Sequence, residues 1–138
     1  MTSYYTEFIF ETGEPFGEDI EDIIDDLAEA VDGLTDVDGD VGVNMEKGRI
    51  DLCITVNADD RPQALLKAFA AARTAVHAAG GHTGTWDGWL RKQLDSDEYR
   101  RWRPRVCLHV SMSLERGTSD GTWTCRGHSQ WVAGHNVR

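Results

Sequence analysis

Arg105-Val106-Cys107-Leu108-His109-Val110-Ser111-Met112-Ser113-Leu114 is the stretch whose reading decides the fold. Val106, Leu108, Val110, Met112 and Leu114 alternate with Cys107, His109, Ser111 and Ser113. A period of two puts one set on each face of a β-strand, here one apolar and one polar. The residues upstream determine which sheet this strand joins.

Working back from it, residues 84–103 hold Trp86, Trp89, Leu90, Leu94, Tyr99 and Trp102 among several arginines, and Asp87–Tyr99 reads as helical. Before that, Leu65, Phe69, Ala72, Val76 and Ala79 form one stripe of an alanine-rich helix. Asp60 is placed to cap it, Pro62 lies in its first turn, and Gly80-Gly81 stops it. Val37–Asn44 and Arg49–Val56 form a hairpin through Glu46-Lys47-Gly48, where glycine supplies the positive φ. Ile20, Ile23, Ile24, Leu27 and Val31 make the apolar stripe of a helix over Asp19–Asp32, with acids in its first turn. Tyr4–Glu11 alternates as the first strand.

The order is βαββα, and one more strand completes a sheet. His82–Trp86 is the short candidate and Arg105–Leu114 the better one. With the latter, the chain resembles the ferredoxin-like βαββαβ sandwich, an α+β fold. It has a four-stranded antiparallel sheet with two helices on one face, and here a helical insertion before the last strand. Residues 1–116 are then one domain with 84–103 as its Trp/Arg-rich insertion. Residues 117–138 form a C-terminal extension, either a short edge hairpin through Thr118–Gly121 to Thr122–Cys125 or loosely held.

The 138 residues suffice for one core. No run reaches the eighteen or so apolar residues of a membrane helix. The N-terminus has no basic region, apolar run or cleavage site of a secretory leader. Cys53, Cys107 and Cys125 are odd in number and form no CxxC pair. A cytoplasmic protein with reduced thiols is expected. Eleven arginines against three lysines, with much Ala, Gly and Asp, point to a GC-rich bacterial or phage source. The net charge of −10 is uneven. Residues 1–60 carry 18 acids and 2 bases, residues 61–138 carry 6 acids and 12 bases. The two halves are expected to attract one another, within the fold or across a dimer.

In that fold one sheet face is left uncovered by helices. Alternation places Glu7, Asp51, Cys53, Cys107 and His109 at its centre, and these are the candidate ligand-binding residues. Cys107 and His109, with Cys125 and His128, also form a CxH…CxxH set with zinc-ligand chemistry but no standard zinc spacing. No cofactor is expected, and zinc is the alternative. Asp36–Asp40 resembles a calcium loop but has Val41 and Lys47 where glycine and glutamate are required. No phosphate loop, GxSxG elbow or HExxH occurs, and no catalytic residue is assigned. The mixture of Trp and Arg over 86–105 invites a nucleic-acid reading. However, the third strand offers Asp51, Cys53 and Thr55 where an RNA-binding sheet needs aromatics, so nucleic acid is not expected.

The expectation is a non-enzymatic interaction module. It would self-associate or dock a protein partner through the open face, or through Trp86, Trp89 and Trp102 of the insertion. The alternatives are a metal- or small-molecule-dependent enzyme using the open face, and an acidic inhibitor that mimics nucleic acid.

Overall fold

A computed structural model describes residues 1–116 and 123–127. The strands are β1 (Thr2–Glu11), β2 (Val37–Asn44), β3 (Arg49–Ala58), β4 (Gly81–His82), β5 (Cys107–Arg116) and β6 (Trp123–Gly127). The helices are α1 (Ile20–Asp32), α2 (Arg61–Ala78), α3 (Trp86–Leu94) and α4 (Asp97–Arg100).

All strands join one mixed sheet in the order β2-β3-β1-β5-β6-β4, strongly curled into a half-barrel. This corrects the ferredoxin-like expectation, which required four antiparallel strands. β5 does lie beside β1, but the two run parallel, with Tyr5 opposite Cys107 and Glu11 opposite Ser113. The cause is the path of the chain after α2. β3 runs antiparallel to β1 and ends beside Thr2, so α2 carries the chain back towards the other end of the sheet. A strand formed there would run antiparallel to β1. Only Gly81 and His82 form one, and they pair with β6 at the far edge. The α3–α4 segment then spans the sheet, and Trp102 Nε1 donates to the Tyr5 carbonyl at 3.1 Å. The next strand therefore starts where β1 starts.

β6 pairs antiparallel with β5 and β4 lies outside it, so Trp123–Gly127 is an internal strand. Trp123 and Cys125 are 2% and 0% exposed. The hairpin residues Thr118–Gly121 and the rest of the expected C-terminal extension lie outside the described residues.

The core occupies one face of the sheet. Tyr4, Phe8 and Phe10 of β1, Ile50, Leu52, Ile54 and Val56 of β3, and Leu108, Val110, Met112 and Leu114 of β5 are buried there. α1 adds Ile20, Ile23, Leu27 and Val31. α2 presents Ala64, Ala68, Ala71, Ala72 and Ala75, whose small side chains let the helix sit close to the strands. Its start is fixed reciprocally: the Gln63 amide donates to the Asp60 carboxylate, and the Asp59 amide donates to Gln63 Oε1. α3 inserts Trp86, stacked on Phe8 at 6.1 Å and edge-on to Phe69. The β2–β3 turn depends on Gly48, at φ +65°, where a Cβ would overlap the Glu14 carbonyl.

Candidate functional site

The opposite face of β1, β3 and β5 carries no helix, because its residues are the polar halves of the same alternations. Register decides which of them meet. Glu7 lies between Cys53 on β3 and His109 on β5, and Tyr5 lies between Thr55 and Cys107. Three of the five expected residues, Glu7, Cys53 and His109, are thus side by side, and Cys107 is one step along in one direction, opposite Tyr5. Asp51 is one step along in the other, opposite Ile9.

Glu7 is the hub. His109 Nε2 is 3.2 Å from Glu7 Oε1, an ion pair whenever the imidazole is protonated. Cys53 Sγ lies 4.0 Å from Glu7 Oε2, and Arg49 Nη2 also lies 4.0 Å from it. Arg49 Nε donates to Asp51 Oδ1 at 2.6 Å. That hydrogen bond is the main reason the guanidinium is held above its usual range. Arg49 is not among the candidate residues, and neither is Tyr5, although the β1 alternation puts Tyr5 on this face. Arg49 shares the β3 alternation with Asp51 and Cys53, and this signal was available in the sequence. The 44% exposure of the Tyr5 ring was not.

A shallow concavity of about 570 Å³ opens over this face, with Ile9, Glu11, Arg49, Cys107 and His109 among its walls. Arg101 and Trp102, from the segment before β5, close one side.

Both thiols on this face are held protonated. Burial pushes Cys107 up to about 11, and the charge of Glu7 adds to it. Burial likewise raises Cys53, with Glu7, Asp51 and Asp40 contributing. An activated thiolate nucleophile needs the opposite environment, cationic neighbours that lower the thiol. The Cys107 S–H points to the Leu108 carbonyl at 3.8 Å, and His109 is engaged by Glu7. No Cys107–His109 nucleophile pair is formed.

The expected zinc set is divided. Cys107 and His109 lie on the open face, whereas Cys125 is opposite Leu114 on the core side and fully buried, its thiol raised by burial alone. His128 lies outside the described residues. Among the described residues, no three His, Cys, Asp or Glu side chains are grouped to hold a metal ion.

The tryptophans of the insertion turn inwards. Trp86, Trp89 and Trp102 are 0%, 3% and 2% exposed and belong to the chain's own core. Trp86 Nε1 donates to the Cys125 carbonyl at 2.8 Å, and Gly127 packs against the Trp89 ring.

Attraction between the two charged halves is not built from ion pairs at α1. Glu21, Asp22, Asp25, Asp26, Glu29 and Asp32 are exposed and make no ion pair among the described residues. Among these residues no helix is long and apolar enough to cross a membrane.

No protein-family model, curated protein or solved structure matches the chain.

Proposed function

We propose that this protein is a non-enzymatic interaction module that docks a basic protein partner across its open sheet face. The observation that carries the reading is the composition of that uncovered surface. Tyr5 stands exposed at its centre. Glu7, Glu11 and Asp51 share its face, and Asp38 and Asp40 join them from β2, where they lie opposite Thr55 and Cys53. Arg49 and His109 are set against these five carboxylates. An exposed tyrosine on a face where carboxylates predominate suits an interface that selects a partner of the other sign. Two copies placed face to face would bring carboxylates against carboxylates, which disfavours self-pairing. The thiols, raised by burial and by the charge of Glu7, do not favour nucleophilic chemistry.

The test is affinity capture followed by titration of the purified captured protein. Tyr5→Ala and Asp51→Arg should each weaken binding at least tenfold, and added salt should weaken it steeply. Asp25→Asn, on the opposite side of the molecule, should leave it unchanged. A partner indifferent to Tyr5→Ala and Asp51→Arg overturns the proposal. So does light scattering that gives a stable dimer dissociated by Tyr5→Ala.

A further inference from the structure

The chain carries a net charge of −10, yet one concavity is lined by arginines and by no carboxylate. It measures about 500 Å³ and is formed by Tyr4, Arg61, Arg100, Arg101, Trp102 and Arg103, closed by Pro104. It lies at the end of the sheet where β1 and β5 begin.

The backbone that presents these arginines is fixed. Trp102 is buried, its indole N–H donates to the Tyr5 carbonyl at 3.1 Å, and its ring packs 5.0 Å from that of Tyr4. The Trp102 amide donates to the Tyr99 carbonyl, and the Val106 amide donates to the Arg103 carbonyl. Pro104 restricts Arg103 to extended backbone. Arg101 and Arg103 therefore flank an anchored tryptophan and cannot drift apart with the chain. Arg61 enters from the first turn of α2. It donates to the Tyr99 and Arg100 carbonyls at the end of α4 and lies over the Tyr99 ring at 5.7 Å.

Ion pairing leaves most of this charge unspent. Arg100 meets Asp97 at 3.4 Å. Arg61, Arg101 and Arg103 make no ion pair among the described residues. Like charges gathered in a concave surface repel one another and focus a positive field, and an anion there relieves both. Guanidinium forks match the oxygens of a phosphate, to which they can donate in pairs. The tryptophan and tyrosine are 2% and 7% exposed, so neither ring presents a face on which a base could stack. The recognition element is thus charge and hydrogen-bond donors alone.

We infer that the Arg61–Arg100–Arg101–Arg103 concavity binds a compact phosphate-bearing anion such as a diphosphate group. The site adjoins the open-face concavity, with which it shares Arg101 and Trp102, but it does not rest on the docking proposal.

Isothermal titration with inorganic pyrophosphate at low salt tests it. One saturable site per chain is expected. Arg101→Ala/Arg103→Ala should weaken it at least tenfold with an unchanged melting temperature, because both side chains are exposed. Arg91→Ala, on the exposed side of α3, and Tyr5→Ala should leave it within twofold. A nucleoside diphosphate arm separates the sources. Equal affinity means that the phosphates alone are read, and tighter binding means that the diphosphate arrives on a nucleotide. The inference is overturned if pyrophosphate binding does not saturate, or if the double variant binds as well as the native chain. It is also overturned if a single-stranded oligonucleotide, or an aspartate-rich peptide, is bound through the same arginines while pyrophosphate is not.

Discussion

The two faces of β1 differ more than any two elements of the molecule. Phe8 and Phe10 are wholly buried on one, and Tyr5 and Glu11 are exposed on the other. The covered face is built from aromatic and aliphatic contacts that do not depend on pH or salt. The open face is built from Glu7, Arg49, Asp51 and His109, whose mutual attractions are partly solvated and individually weak. Stability should therefore reside on the first face and recognition on the second. Substitutions on the two faces should then differ in kind as well as in size.

The largest effect belongs to the covered face. Trp86→Ala removes the ring stacked on Phe8 and packed against Phe69, and leaves the Cys125 carbonyl without its donor. Loss of about 3–5 kcal/mol of unfolding free energy is expected, read by denaturant titration. A loss under about 1 kcal/mol would mean that α3 is peripheral to the core, and the comparison would fail.

The same contrast explains what could be read from the sequence. Alternation in Arg105–Leu114 identified the strand and both its faces, because burial acts on every second residue. Alternation is unchanged when a strand is reversed. Nothing in Val-Cys-Leu-His-Val says which end enters first, so the parallel pairing of β5 with β1 was not legible. The span of the Trp- and Arg-rich insertion decides that direction, and it does so through tertiary contacts such as Trp102 to Tyr5. The grouping of Glu7, Cys53 and His109 survived the error, since either direction leaves the odd-numbered residues of β5 on the open face. The inward packing of the tryptophans is not legible for a related reason. Trp is at home in cores and interfaces alike, and only the positions of Phe8, Phe69 and Tyr5 show that these rings turn inwards. The arginine concavity was visible as composition in residues 100–105, but Arg61 comes from another element and carried no local signal.

An effect of intermediate size comes from a polar group on the wrong side of this division. Gln93 is 1% exposed on α3, and its Oε1 accepts no hydrogen bond among the described residues. Gln93→Met keeps the length of the side chain and removes the unsatisfied acceptor. Stabilisation of about 1 kcal/mol is expected, seen as a raised denaturation midpoint. A destabilised variant would show that Gln93 has a partner and that the covered face tolerates polarity.

The smallest effect on stability, and the most specific, belongs to Glu7. Glu7→Gln keeps the shape of the side chain and removes the charge shared by His109, Arg49 and Cys53. A change in unfolding free energy within about 1 kcal/mol is expected. The thiols should report the change more sharply. Cys107 holds its proton to about 11, first through burial and then through the charge of Glu7. Below its ordinary value of 9.0 the thiol is neutral whether the chain is folded or not, and contributes no pH dependence. Above it the unfolded chain loses the proton while the folded chain keeps it. Stability therefore falls as pH rises from about 9 towards 11, and Cys107→Ser should flatten that part of the curve. Alkylation of Cys107 in the folded protein, followed by peptide mass, should rise with a midpoint near 11. Glu7→Gln should move that midpoint down, yet leave it above 9.0 because the burial remains. A midpoint unmoved by Glu7→Gln would make burial the whole cause and detach Cys107 from the charged network of the open face. One that fell to the ordinary value would make Glu7 the whole cause and show that the thiol is not buried at all.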